Sequence, residues 1–286
     1  MKQELKILTI GNSFTDSLTA YFKEVVESAG CVLTFDRANH GGCELRRHWS
    51  YMEFEERDLT VKMYQEPRVK SRTILQREKW DIVSIQQASH ESWDMDTYQP
   101  YANNICAHIR KYAPQAEIVI QQTWSYRADD PRLMPGGAWG FDQDGMYDRL
   151  TAAYQKLASE QKLRIIPTGY AVQLARKEQP FHFRNYDPAL LETLHWPDLP
   201  PQAGSLVGRI FWHKNTDGKL RIGRDTIHLN ERGQYLQACV WFAFLYGRKT
   251  SEITYVPPVI DDSDAAFLRG IAQKAVDLFP QQTNAK

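Results

Sequence analysis

The chain has 286 residues, and its 35 basic and 35 acidic side chains cancel to a formal net charge of zero. That balance, with no long basic run, argues against nucleic acid as the main partner. The apolar fraction of 42% can fill a sizeable core, yet no apolar run is long enough to span a bilayer, so no membrane partner is expected.

The first strand-like run, Leu5–Ile10, breaks at Gly11, and Asn12-Ser13 follow. From Leu18 to Ala29 the apolar residues recur at helical spacing until Gly30. The order is strand, tight turn, helix, with a serine in the turn. A serine there lies beyond the C-terminal end of a strand and beside a helix N-terminus that favours developing negative charge. Ser13 is equally readable as an ordinary N-cap, although Thr15 and Asp16 could serve that purpose too. The turn has neither the P-loop pattern nor the GxGxxG pattern.

Further strands are expected at Val32–Arg37, Asp81–Gln86, Glu117–Gln122 and Arg164–Pro167. Helical patterns run over Glu44–Met63 (with a break), Tyr98–Tyr112 and Met146–Gln161. This alternation predicts βαβ units around a mostly parallel sheet covered on both faces. The strands DIVSIQ and EIVIQQ turn polar at Gln86-Gln87 and Gln121-Gln122, where a ligand site of such a sheet would lie. Gly41-Gly42, after the second strand, reads either as a plain turn or as a backbone N–H offered to a ligand.

Asp129–Gly145 reads as an irregular loop, and a second irregular, cap-like insertion is expected at about 177–224, carrying His182, His195, Trp196, Trp212 and His213. Its tryptophans could stack on a sugar. Asp225 and His228 then precede Asn230, a good N-cap for an apolar helix reaching Gly247. Their spacing of three places both side chains on one side of a single turn, as a His base and an orienting Asp require. A last amphipathic helix covers Ser263–Phe279.

Cys31, Cys43, Cys106 and Cys239 lie far apart without CxxC spacing and read as free thiols, so no metal site is expected from them. The first strand starts too close to Met1 for an export signal. The chain as it stands is therefore expected in the cytoplasm, or in the periplasm or outside the cell if a leader has been removed.

In order and spacing these blocks resemble the SGNH, or GDSL-type, hydrolases, in a less-characterised branch with GNSF, GGC and QQ blocks. The resemblance implies a flavodoxin-like three-layer α/β/α sandwich with a central five-stranded parallel sheet, formed by one domain over residues 1–286. It implies Ser13 as nucleophile, His228 as base and Asp225 as its partner. The oxyanion hole would use the N–H groups of Ser13 and Gly42. The chain has SIQQASHESW where the family has GxND, which makes Gln87 the expected third oxyanion donor. Gln86, Trp124 and Trp212 are the expected substrate contacts. The implied activity is cofactor-free hydrolysis of small acyl esters, often acetyl groups on carbohydrate, with a small-molecule or glycan ester as the only expected partner. The altered third block leaves a second reading, a carbohydrate-binding protein without chemistry. A phosphoester enzyme is disfavoured by the lack of clustered carboxylates for metals.

Overall fold

The computed structural model describes residues 3–65, 68–187 and 189–281. Five parallel strands form the central sheet: β1 (Glu4–Gly11), β2 (Val32–Asn39), β3 (Ile82–Ile85), β4 (Glu117–Gln121) and β5 (Arg164–Ile166). Their spatial order is β2-β1-β3-β4-β5, so the order reverses between β1 and β3. Leu5, Ile7, Leu8 and Ile10 of β1 are all buried, as a strand covered on both faces requires. The fold is thus the expected α/β sandwich, and the turn holding Ser13 sits at its topological switch point, where such sheets bind ligands.

After β1 come one turn of helix, α1 (Ser13–Asp16), a 3-10 turn, and α2 (Phe22–Ser28). The other main helices are α3 (Leu45–Arg57), α4 (Ser71–Arg77), α5 (Tyr101–Tyr112), α6 (Gln143–Gln161) and α7 (Thr168–Glu178). Helices α3, α4 and α5 pack together as one layer. The amide groups of Gln99, just before α5, and Gln161 at the end of α6 bond across between these two helices. Helix α7 belongs to the other layer, with α2 and the last two long helices described below.

Chain 177–224 departs from the expected irregular insertion. It holds a single helical turn, α8 (Leu190–Thr193), then strand β6 (Val207–Lys214) and most of β7 (Leu220–Leu229), an antiparallel hairpin. The hairpin turns at Asn215–Gly218, with Gly218 at φ +79°. Asp225 and His228 therefore lie on a strand rather than on a turn before a helix. The chain then enters α9 (Glu231–Tyr246), capped by Asn230 through its bond to the Gly233 N–H. Every residue from Tyr235 to Tyr246 is buried, which is why α9 is apolar on all sides. Helix α10 (Asp262–Leu278) packs against α9 and α7.

Helix α7 was not anticipated from the sequence. It enters through Gly169, where a Cβ would lie 2.0 Å from the Thr123 carbonyl oxygen. Gly270, in α10, has no neighbour within 4 Å of such an atom. Gly169→Ala should accordingly lose ~1–3 kcal/mol of stability through overpacking, whereas Gly270→Ala should gain up to ~1 kcal/mol. Urea unfolding of the two variants beside the parent reads both signs.

Candidate active site

The site is built around a buried amide. Asn12, 1% exposed, is in an extended conformation at the end of β1 and caps α1. Its Oδ1 accepts the Phe14 N–H at 3.1 Å and the Gln86 amide at 2.7 Å. Its Nδ2 donates to the Cys43 carbonyl at 3.1 Å. One side chain thus fixes both the serine turn and the loop that holds Gly41 and Gly42. Gly11, just before it, must be small: a Cβ would come within 2.4 Å of Thr15 Oγ1.

Behind this turn lies a chain of glutamines. Gln121 donates to Gln86 Oε1 at 2.7 Å and to the Phe14 carbonyl at 3.2 Å. Gln237, the polar residue inside apolar α9, donates to the same carbonyl at 2.9 Å and accepts from Ser17 Oγ. All three glutamines are buried. A buried polar group is stable only if bonded, so these amides specify one geometry for the turn. Sequence reasoning missed Gln237 as part of the site, although a lone Gln in YLQACVWFAFLY was a signal for it.

The structure brings Ser13, His228 and Asp225 together. Ser13 Oγ lies 2.9 Å from His228 Nε2, and His228 Nδ1 lies 2.9 Å from Asp225 Oδ2. Asp225 Oδ1 accepts the backbone N–H groups of Ile227 at 2.9 Å and His228 at 3.0 Å. Burial pushes the Asp225 carboxyl up, but the imidazole and these two N–H groups outweigh it and hold the group at about 2. It is therefore ionised across the neutral range and keeps the proton of His228 on Nδ1, leaving Nε2 to accept from the serine. Strand β7 is held in register with the turn by three contacts to the segment after β4. Trp124 Nε1 donates to the Ile227 carbonyl at 2.9 Å, the Arg127 N–H to the Thr226 carbonyl at 2.8 Å, and Thr226 Oγ1 to Asp130 at 2.5 Å.

The N–H groups of Ser13, first in α1, and of Gly42 have no acceptor among the described residues. Gly42 sits at φ +59°, a conformation that favours glycine. Gln87 does not join them. Its Oε1 accepts the N–H groups of Leu45 and Ala88, each at 2.9 Å, and its amide donates to Thr97 Oγ1 at 2.9 Å and Glu91 at 3.4 Å. This side chain caps α3 and has no proton left for an oxyanion. The Ser89 hydroxyl, two residues on, lies 2.8 Å from that of Tyr126.

The expected substrate contacts are placed differently again. Gln86 is buried in the amide chain and has no face toward solvent. Trp124, also fully buried, stacks on Phe14 with ring centroids 4.1 Å apart and planes 11° apart. It supports the serine turn from beneath. Trp212 pairs with Ile222 on the hairpin, three residues along from Asp225, hence about 10 Å away. Its indole N–H donates to the Asp198 carbonyl at 2.9 Å. Trp196, by contrast, is 64% exposed.

All four cysteines are free and buried. Burial pushes the Cys43 thiol up to about 11 against the opposing pull of Arg47, so it does not compete as a nucleophile near neutrality. Among the described residues, Glu44, His90 and Glu91 bring ligand atoms within 4.8 Å of one another. Glu44 in that group is already paired with Arg47 at 3.2 Å. No helix among the described residues is long and apolar enough to cross a membrane.

Because the Asp225 carboxyl is depressed, the unfolded chain binds its proton more readily, and stability falls with acid. The stabilisation is full above the unfolded value of ~3.9 and disappears as pH drops through about 2. The stability difference between the parent and Asp225→Asn should shrink as pH falls from 4 to 2. Chemical denaturation across that range measures it. Gln237→Leu, which leaves the Ser17 hydroxyl and the Phe14 carbonyl short of a partner, should cost ~1–3 kcal/mol in the same assay.

No curated protein matches the chain. It is similar to the crystal structure of a DUF4886 family protein from Bacteroides uniformis ATCC 8492, at 25% identity over 96% of this chain and 95% of that one, with a TM-score of 0.71. It is also similar to the family 3 carbohydrate esterase of Clostridium thermocellum, at 12% identity, 85% and 96% coverage and a TM-score of 0.46. A third is the lipase/acylhydrolase from Enterococcus faecalis, at 14% identity, 87% and 97% coverage and a TM-score of 0.45. The family described as "Domain of unknown function (DUF4886)" matches residues 6–182, well over half of the sequence, and the chain belongs to it.

Proposed function

We propose that this protein is a serine ester hydrolase working through Ser13, His228 and Asp225. The observation that carries the reading is the unbroken hydrogen-bonded line from Ser13 Oγ through His228 to Asp225, with both contacts at 2.9 Å. Ser13 attacks the ester carbonyl as His228 takes its proton, and the N–H groups of Ser13 and Gly42 hold the oxyanion. His228 then protonates the leaving alcohol, and water, deprotonated by the same imidazole, releases the acid. The catalytic His228 side chain is 41% exposed, so an ester group on a larger molecule can reach it. The acyl group we favour is acetyl and the alcohol a carbohydrate, in keeping with the exposed Trp196 on the segment before the hairpin.

A second reading has its own observation. Gln86 and Gln87 are both committed elsewhere, so the oxyanion has two backbone donors and no side-chain amide. Loss of one such donor costs ~10²–10³ in rate, and a protein that only binds glycan would tolerate it.

The two readings part on one variant. Ser13→Ala should lower kcat on p-nitrophenyl acetate or an acetylated xylo-oligosaccharide by ~10³-fold or more, with circular dichroism unchanged. Turnover within a few-fold of the parent would remove Ser13 as nucleophile. Saturable glycan binding with no measurable turnover in either protein would favour the binding reading.

A further inference from the structure

A cavity of about 250 Å³ lies under the 179–183 and 204–207 segments, against α7 and the chain that follows β4. None of Ser13, Gly42, Asp225 or His228 lines it. Arg127, Arg176 and Lys177 do, facing the single carboxylate of Asp144.

Arg127 has one guanidinium nitrogen without a partner among the described residues, and Arg176 has no carboxylate among its hydrogen-bond partners. Arg127 is 2% exposed; its Nε and Nη2 hold Asp129 at 2.6 and 3.0 Å, and its Nη1 has no partner among the described residues. Asp129 does not belong to Arg127 alone, since Arg224 pairs with the same carboxylate at 3.2 Å and Tyr186 donates to it at 2.9 Å. The Arg176 guanidinium bonds to neutral groups, Ser125 Oγ at 2.6 Å and the carbonyls of Ser125 at 2.9 Å and Tyr126 at 3.2 Å. Burial pushes Arg176 down to about 9, with Asp144 opposing. A guanidinium does not release its proton in a protein, so the strain of burying it is relieved by a counter-anion instead.

The lining also offers an acceptor. Gln173 donates its amide to Asp144 at 2.5 Å, and its buried Oε1 has no donor among the described residues. Water can satisfy such an atom, but it does not neutralise excess positive charge. The volume further selects the ligand. One water takes ~30 Å³ of liquid, so a cavity of about 250 Å³ is several times larger than a bare inorganic anion needs.

We propose that this cavity binds a small hydroxylated anion, a sugar acid or sugar phosphate. Its anionic oxygens meet Arg127 Nη1 and the charge of Arg176 and Lys177, and one of its hydroxyls donates to Gln173 Oε1. Arg127 and Thr226 are joined through their backbones, so the occupied cavity abuts the strand that carries Asp225 and His228.

The test is isothermal titration calorimetry on Ser13→Ala protein at low ionic strength, which makes it independent of the esterase reading. Glucuronate and glucose 6-phosphate are titrated separately, with glucose as the neutral control. At least one of the two anions should bind saturably with a stoichiometry near one, and which one binds identifies the anionic group. Glucose should give no saturable heat. Lys177→Glu, at an exposed position, and Gln173→Leu should each weaken binding at least tenfold while the far-ultraviolet dichroism stays that of the parent. Absence of saturable binding by both anions, or affinity unchanged in both variants, would overturn the proposal.

Discussion

The bonds made by the Asn12 side chain are the constraint on which the rest of the site depends. A single buried amide closes the serine turn through the Phe14 N–H, ties it to the glycine loop through the Cys43 carbonyl, and is itself held by Gln86. An aspartate at this position would be acceptor-only when ionised. It could not make the bond to Cys43, and the Gly41-Gly42 loop would lose its link to the nucleophile. The amide and the glutamine chain behind it form one unit in which each member fixes the next.

The second half of the site reaches this unit from far along the chain. Strand β7 belongs to a hairpin outside the main sheet, so no sheet hydrogen bonds place His228 beside Ser13. Side chains after β4 do that work instead, with Trp124 stacked on Phe14 and bonded to the Ile227 carbonyl. The same indole thus touches both the nucleophile's turn and the base's strand. That arrangement explains how residues 215 positions apart come to within hydrogen-bond distance.

Much of this was legible in the sequence, for identifiable reasons. Strands β1, β3 and β4 announced themselves because buried parallel strands are apolar almost throughout, whereas the half-exposed edge strand β2 showed itself through its place between two helical patterns. Ser13 was legible because it falls in the turn beyond β1, and Asp225 and His228 because of their spacing and their place just before the N-cap of an apolar helix. The hairpin was not, since the Pro-rich stretch before it made the whole region look irregular. Yet NTDG, with Gly218 in the left-handed region, is a turn signal between two runs of β-forming residues. Gln87 and Trp124 illustrate a different limit. Each has the right chemistry at the right strand end, but an amide at that point can serve an oxyanion or cap a helix, and an indole can stack on a sugar or on Phe14. Only the packing decides, and it turned both inward.

The central claim is that Ser13 is an activated nucleophile, which requires the imidazole as well as the hydroxyl. Intact-protein mass spectrometry after treatment with a fluorophosphonate, followed by peptide mapping, tests it most directly. The account predicts one adduct, on Ser13, lost when His228→Ala removes the base from a folded protein. An adduct on another residue, none on the native protein, or labelling of Ser13 that is indifferent to His228 would contradict it.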